Sequence, residues 1–401
     1  MYLDKNCLAS LEFEIAWQSR HVEHKERFLA RKVNLKRDIL PLRVNEALNG
    51  LQVGESTTLN FAPGQIVADY SPRDVHHLPY KSFRPQGELQ REIQPHFGRF
   101  YPKGFLSDVR GIYPQNSYPF RVIGVEEEFF IADLNHPLAR YATTVTVMVH
   151  DLAVNDGTEG GKCSVWMEEI ADNGPGMQAR WREEPTDFQL AEPLKREDEQ
   201  LDTHFYSKPR LVEHIDAQAS LNLQAEYGRY LQAGMRVLDL MSSMQSHLPP
   251  EMDLEVHGLG LNQEELDANQ RLDKKTVQDI NANSELPFAD DFFDALVCSL
   301  SVEYLTQPGK AVREMHRVLK PGGILLLSFS NRWFPPKVTK LWEELHEFER
   351  LGLVLELLLR DGGFQDLQSV SMRNWWRPTD DKWYGRVWTS DPIFVVCARC
   401  S

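Results

Sequence analysis

Apolar and polar residues alternate with period two along Leu11–Trp17 and Ser56–Phe61, which predicts strands with one buried face. Phe120–Val125 and Phe129–Leu134 predict two more strands joined by a short acidic connection, and Thr143–Val149 is a β-branched run of the same kind. Turn signals recur between them, at Asn49-Gly50, Pro63-Gly64 and Ser71-Pro72. The first third therefore predicts a domain built mainly of short strands. Residues 153–205 change character: Asp156-Gly157, Gly160-Gly161, Asn173-Gly174-Pro175-Gly176 and the charged stretch Glu192–Asp202 predict a loop-rich acidic linker. Trp166, Met167, Trp181, Phe188 and Phe205 are available to pin it to a neighbouring surface. Beyond it the period lengthens. Leu211, Val212, Ile215, Ala219, Leu223, Tyr227 and Leu231 recur at helical spacing up to Gly234. Short apolar strands follow at Arg236–Met241, Leu254–Leu261, Phe293–Ser299 and Ile324–Ser328, with a helix at Lys310–Leu319 closed by Lys320-Pro321-Gly322-Gly323. Strands alternating with helices predict a doubly wound parallel α/β sheet, and Phe364–Val370 with Ile393–Ala398 predict a closing antiparallel pair.

Composition narrows the partners. The chain has 401 residues, which suits two or three domains, and a net charge of −15. That acidity argues against a nucleic-acid backbone and against an anionic membrane surface as partner. The N-terminus lacks a basic region followed by an apolar core, and no apolar run approaches the ~20 residues of a membrane span. Five scattered cysteines fit a reducing cytoplasm rather than a disulfide framework. Cys397 and Cys400 form a lone CxxC inside a predicted strand, with no second pair to complete a metal site, so no metal is expected.

Three segments carry a family resemblance in the last 190 or so residues. They read VLDLMSSMQ (237–245), QDINANSELPFADDFFDALVCSLSVEYL (278–305) and REMHRVLKPGGILLLSFSN (313–331). Their order and spacing resemble the class I S-adenosylmethionine-dependent methyltransferases of the small-molecule type, with a Rossmann-like fold over residues 206–401. The resemblance implies S-adenosylmethionine as cofactor, held beyond the carboxyl ends of the strands. It places Asp239 near the methionine end, Asp279 with Ile280 near the adenine amine, and Cys298 and Ser299 along the cofactor. Two positions depart from the family. The first loop carries Leu240, Met241, Ser242 and Ser243 where the pattern has glycines. A left-handed non-glycine residue costs ~1–2 kcal/mol, so a different loop path or a reshaped pocket is expected. At the end of the next strand the acid that grips the ribose is replaced by Gly260, and Asn262 is the nearest polar substitute. Tyr304 after the fourth strand, and Asn331 and Arg332 after the fifth, are candidates for facing the methyl acceptor. Arg332 suits a carboxylate or phosphate of the acceptor, or a surface ion pair. The cluster Trp375, Trp376, Trp383 and Trp388 either roofs the pocket or packs elsewhere.

Residues 1–152 carry a second resemblance, in VNEALNGLQVGE (44–55), LPYKSF (78–83) and FRVIGVEEEFFIADLNHPLAR (120–140). They resemble FKBP-like prolyl isomerases of the SlyD type, a mainly β α+β domain with an inserted flap at about 78–132. The isomerase pocket is altered, with Val67 and Val145 where the family has Tyr and Phe. Tyr70, Phe97, Phe100 and Tyr101 are apolar candidates either for peptide contact or for core packing. The resemblance implies a retained fold with weak or absent isomerase activity and a flap able to hold unfolded peptide.

Three functions remain open from the sequence. The first is a methyltransferase acting on a small molecule or protein. The second is a non-catalytic chaperone or scaffold with decayed pockets. The third is a peptidyl-prolyl isomerase with an appended methyltransferase-like domain.

Overall fold

The computed structural model describes residues 1–85, 93–155, 157, 160–172, 174–361 and 363–401. Asp156 and Asn173, expected in turns of the linker, lie outside the described residues. The chain divides into two compact units. The first comprises residues 1–20, 24–189 and 346–353, and the second 21–23, 190–345 and 354–401.

In the first unit the elements are β1 (Cys7–Gln18), β2 (Val22–Asn34), α1 (Leu42–Leu48), β3 (Ser56–Phe61), β4 (Val75–Pro79), β5 (Phe100–Pro102), β6 (Pro119–Val125), β7 (Phe129–Asp133), β8 (Thr143–Val154) and α2 (Trp166–Ala171). The sheet order is β2-β1-β8-β3, with β8 antiparallel to both β1 and β3. Alternation drives it: Ala9, Leu11, Phe13 and Ile15 of β1 and Val145, Val147 and Val149 of β8 face one core, joined there by Val44 and Leu48 of α1. Between β3 and β8 the chain leaves to build a second antiparallel sheet, β4-β7-β6-β5, around Leu78, Tyr101, Leu106, Phe120, Val122, Phe130 and Ala132. Phe100 and Tyr101 are 5% exposed, so they serve packing here and are not open to peptide. Tyr70 lies beneath the Arg140 guanidinium at 3.7 Å.

Part of the expected linker is core. Trp166, Met167, Ile170 and Ala179 belong to the first unit's buried cluster, and the Trp166 indole donates to Asp38 at 3.1 Å. Its later part, from 190, belongs to the second unit, where Lys337 is wholly buried and donates to the carbonyls of Asp198 and Gln200 at 3.1 and 2.7 Å.

The second unit contains α3 (Asp202–Phe205), α4 (Ala217–Tyr227), β9 (Arg236–Leu240), β10 (Glu255–Gly260), α5 (Gln263–Ala268), β11 (Lys274–Val277), β12 (Phe293–Ser299), α6 (Pro308–Val318), β13 (Leu319–Phe329), α7 (Lys340–Glu344), most of α8 (Glu347–Asp361), β14 (Phe364–Arg373) and β15 (Ile393–Cys400). The strand order is β11-β10-β9-β12-β13-β15-β14. The first five are parallel and β15 is antiparallel to both β13 and β14, the predicted closing pair. The order reverses between β9 and β12, which creates the crevice where doubly wound sheets bind ligands. Strands buried on both faces read as continuous apolar runs, as in Phe293–Ser299. Helix α6 covers the sheet with Ala311, Val312, Met315 and Val318, a stripe at helical spacing whose burial contributes roughly 1.5–3 kcal/mol per large side chain.

Two expected boundaries move. The helix expected from Leu211 starts at Ala217, because the Asp216 carboxylate accepts from the Gln218 and Ala219 amides and caps it there. Leu211 and Val212 are left exposed in the preceding loop. The Lys320–Gly323 turn does not end α6 but lies within β13, Val318 being the last helical residue.

Candidate active site

The carboxyl ends of the five parallel strands surround an open cleft of about 1410 Å³, including the solvent at its mouth. The loop after β9 contributes Met241, Ser242, Ser243, Gln245 and His247, and β9 itself Asp239. The β10 end contributes Gly260, Asn262 and Glu265, the β11 end Asp279, Ile280 and Asn281, and the β12 end Ser299, Leu300 and Tyr304. Arg332 and Phe334 follow β13, while Asp202, Tyr206, Arg210 and His214 come from the segment before α4.

The glycine-free first loop keeps the left-handed turn. Met241 has φ +58°, and His247 and Leu300, also on the cleft, have φ +51° and +55°. The expected change of path is therefore absent at Met241, and the strain of ~1–2 kcal/mol is retained. The turn is held by hydrogen bonds instead. Ser242 donates through its amide to the Leu259 carbonyl at 2.8 Å and through its hydroxyl to Asp239 at 2.6 Å. Asn269 donates to the Ser243 carbonyl at 2.8 Å and to the Ser246 hydroxyl at 2.9 Å.

Asp239 is 2% exposed. Burial pushes its carboxyl up to about 7, against the opposing hydrogen bonds from Ser242 and Ser246. At Gly260 a Cβ would stand 2.1 Å from the Ser242 carbonyl oxygen. The first loop thus occupies the space of any side chain at 260, which explains why the acid is missing there. Asn262 borders the cleft with its side chain largely engaged. Its carbonyl oxygen accepts from the Glu264 and Glu265 amides as the cap of α5, and its amide donates to the Tyr206 carbonyl at 2.9 Å. Asp279 lines the cleft while its Oδ1 accepts from the amides of Asn281 and Ala282 at 2.9 and 3.2 Å. Asn281 ties the rim together, donating to Asp202 and to the Tyr304 carbonyl, both at 2.9 Å.

Tyr304 lies on the cleft stacked with Phe334, and its hydroxyl accepts from the Phe334 amide at 2.9 Å. Burial raises its phenol well above the usual value, so it stays protonated and does not act as a base. Arg332 reaches the cleft and also donates to Asp391 at 3.3 Å. Leu240 and Cys298 do not line the cleft, being 1% and 0% exposed inside the packed sheet, and the exposed Asn331 does not line it either. Of the tryptophan cluster, Trp375 is buried and Trp376, Trp383 and Trp388 are exposed, while Lys382 of the same loop lines the cleft.

Several groups on the cleft carry no motif. Arg210 lies over Phe205, Tyr206 and Phe334 at 4.2, 5.0 and 4.9 Å, and its Nη1 is buried without a hydrogen-bond partner among the described residues. A buried guanidinium nitrogen lacking an acceptor is a ready partner for a ligand carboxylate. His214 meets the Phe334 ring edge-on at 5.5 Å, and burial lowers its imidazole below the ordinary value, leaving it neutral at pH 7 and able to take a proton. Among the described residues no group of three or more His, Cys, Asp and Glu could hold a metal ion.

Residues 242–327 match the model of the methyltransferase-domain family. The second unit thus contains a methyltransferase domain over that stretch. The ubiquinone/menaquinone biosynthesis C-methyltransferase UbiE of Klebsiella pneumoniae is 42% identical over 99 residues, 24% of this chain and 39% of that protein. Its Vibrio vulnificus counterpart is 41% identical over 99 residues, 24% of this chain and 37% of that protein. The chain therefore spans about two fifths of the length of the curated relatives it matches. A solved methyltransferase from Aquifex aeolicus shares 20% identity, with a TM-score of 0.31 covering 50% of this chain and 97% of that one.

The residues around the methyltransferase cleft fit the family's cofactor. The unpartnered Arg210 Nη1 suits its carboxylate and the buried Asp239 its cationic methionine end. Met241 borders the cleft without closing it, and Met244 is not among its lining residues.

Proposed function

We propose that the chain transfers methyl groups from S-adenosylmethionine to a small-molecule or protein acceptor. The observation that carries this reading is a cleft at the switch point bordered by the buried Asp239 and by Arg210, whose Nη1 lacks a hydrogen-bond partner among the described residues. The cofactor supplies a methyl group activated on a sulfonium. Tyr206, Tyr304 and Phe334 provide an aromatic wall that keeps water away and orients the acceptor. Neutral His214 takes the acceptor's proton where one must leave.

The first unit is read as an FKBP/SlyD-like module that holds peptide and has lost most isomerase activity. Its support is the sheet inserted between β3 and β8, the fully buried Val145 and the half-buried Val67 at positions where the family has aromatic pocket residues, and exposed Tyr113 and Tyr118 on the insert side of the chain. Five free cysteines support a cytoplasmic location, and no helix of the described residues is long and apolar enough to cross a membrane.

Asp239 gives the test. Its folded pKa lies above the unfolded one, so it binds an extra proton in the folded state. Stability contributed below about pH 4 declines as pH rises and is lost through pH 7. A cationic ligand beside it favours the ionised form and expels that proton. Calorimetric titration of the whole chain with S-adenosylhomocysteine, in buffers of differing ionisation enthalpy, is expected to show micromolar binding. Close to one proton is released at about pH 6 and almost none at about pH 8.5. Absence of binding at millimolar ligand would overturn the reading.

A further inference from the structure

We propose that Glu265 grips the ribose hydroxyls of the nucleoside, taking over the task of the acid missing at Gly260; the inference rests on the methyltransferase reading. The end of β10 cannot carry that acid, since the Ser242 carbonyl fills the Cβ space at 260. Asn262 is poorly placed to replace it: its side-chain oxygen is engaged in capping α5, one N–H is given to the Tyr206 carbonyl, and it brings no negative charge. Glu265 is the next polar side chain on this rim that borders the cleft, and it is 6% exposed.

Its local sequence suggests a different use, which the structure does not realise. Asn262-x-x-Glu265 has the spacing of a capping box, in which the glutamate turns back to the amide of the cap. Glu265 instead turns toward the cleft. Oε1 accepts from the Arg210 amide at 2.7 Å and Oε2 from the Ser243 hydroxyl at 2.6 Å. These two bonds fix the carboxylate between the first loop and the segment before α4. A carboxylate has about four lone-pair sites, so one remains on each oxygen for a donor. A vicinal diol presents two O–H donors side by side, the complement of that arrangement. The buried setting strengthens such bonds relative to water. The site has thus moved five residues along the chain, from a strand end to the first turn of the following helix. Ser243, in the loop that lacks glycines, serves as its positioning residue.

The test is calorimetric binding by the whole chain of S-adenosylhomocysteine and of its analogue lacking both ribose hydroxyls, for the natural chain and for Glu265→Gln. The natural chain is expected to bind the dideoxy analogue about 10- to 100-fold more weakly, the worth of lost hydrogen bonds to a charged group. Glu265→Gln is expected to weaken S-adenosylhomocysteine by a similar factor and to leave the analogue almost unaffected. Equal weakening of both ligands by the substitution would assign Glu265 to loop support alone and overturn the proposal. Equal affinity of the natural chain for the two ligands would overturn it without reliance on any variant. Failure of the natural chain to bind either ligand would remove the methyltransferase reading along with it.

Discussion

Placing aspartate at position 260, where the sequence resemblance calls for an acid, is expected to abolish cofactor binding and to destabilise the second unit by about 3 kcal/mol. The expectation runs against the family pattern. In this chain a Cβ at 260 stands 2.1 Å from the Ser242 carbonyl oxygen, a backbone atom that no rotamer change can move. The adjoining Ser242 amide is bonded to the Leu259 carbonyl and its hydroxyl to Asp239. Accommodating any side chain therefore displaces the whole first loop, with Met241 in its left-handed conformation, and uncovers the buried Asp239 carboxyl. Urea unfolding and binding of S-adenosylhomocysteine measure the two effects. A stable Gly260→Asp variant that binds more tightly than the natural chain would mean that the loop lies elsewhere.

The second large effect is expected at Arg377, which is 3% exposed and surrounded by carboxylates. Asp391, Asp381 and Asp216 lie 2.6, 3.2 and 3.5 Å from its guanidinium. Burial disfavours its charge, but the hydrogen bond it donates to Asp391 and the neighbouring carboxylates more than compensate and hold its pKa above the ordinary value. Asp216 is itself the cap of α4, and accepts from the Ser390 hydroxyl and the Asp391 amide at 2.9 and 2.6 Å. The ion cluster thus fastens the loop between β14 and β15 to the start of α4, and Arg332 joins it through Asp391. Arg377→Met keeps much of the volume and removes the charge. Leaving buried carboxylates without their partner is expected to cost about 3–5 kcal/mol. Arginine stays ionised at any working pH, so its own contribution is flat. Urea unfolding checks that cost, and a loss below about 1 kcal/mol would show that the cluster behaves as a surface network.

Much of the second unit could be read from the chain because its signals are local. The parallel strands are apolar runs, and the closing antiparallel pair follows them in the same order as in the sequence. What escaped notice has particular causes. The edge strand β11 is only Lys274–Val277, and its exposed lysines, which protect an edge, hide its strand character. The long β2 was missed because polar residues occupy its buried face. His24 is stacked on Trp17 at 3.9 Å, and Glu26 accepts from Gln178 at 2.6 Å, so neither registers as apolar in a periodic count. The site divides in the same way. Asp239, Ser242, Ser243, Asp279 and Tyr304 border the cleft because they end strands whose motifs are recognisable. Leu240 and Cys298 belong to the same strands but point into the packed sheet, a consequence of strand alternation that motif matching ignores. Arg210, His214 and Glu265 reach the cleft from a loop and a helix turn with no motif. The Asn262-x-x-Glu265 spacing matches a capping box and carries no ligand signal of its own.

The central claim is that a strained loop without glycines still cradles a sulfonium nucleoside. Native mass spectrometry of the whole chain, as purified and after addition of S-adenosylhomocysteine, tests it most directly. The account predicts one nucleoside bound per chain, retained by the natural protein and lost from Gly260→Asp. A chain that remains free of adduct in the presence of millimolar ligand would contradict it.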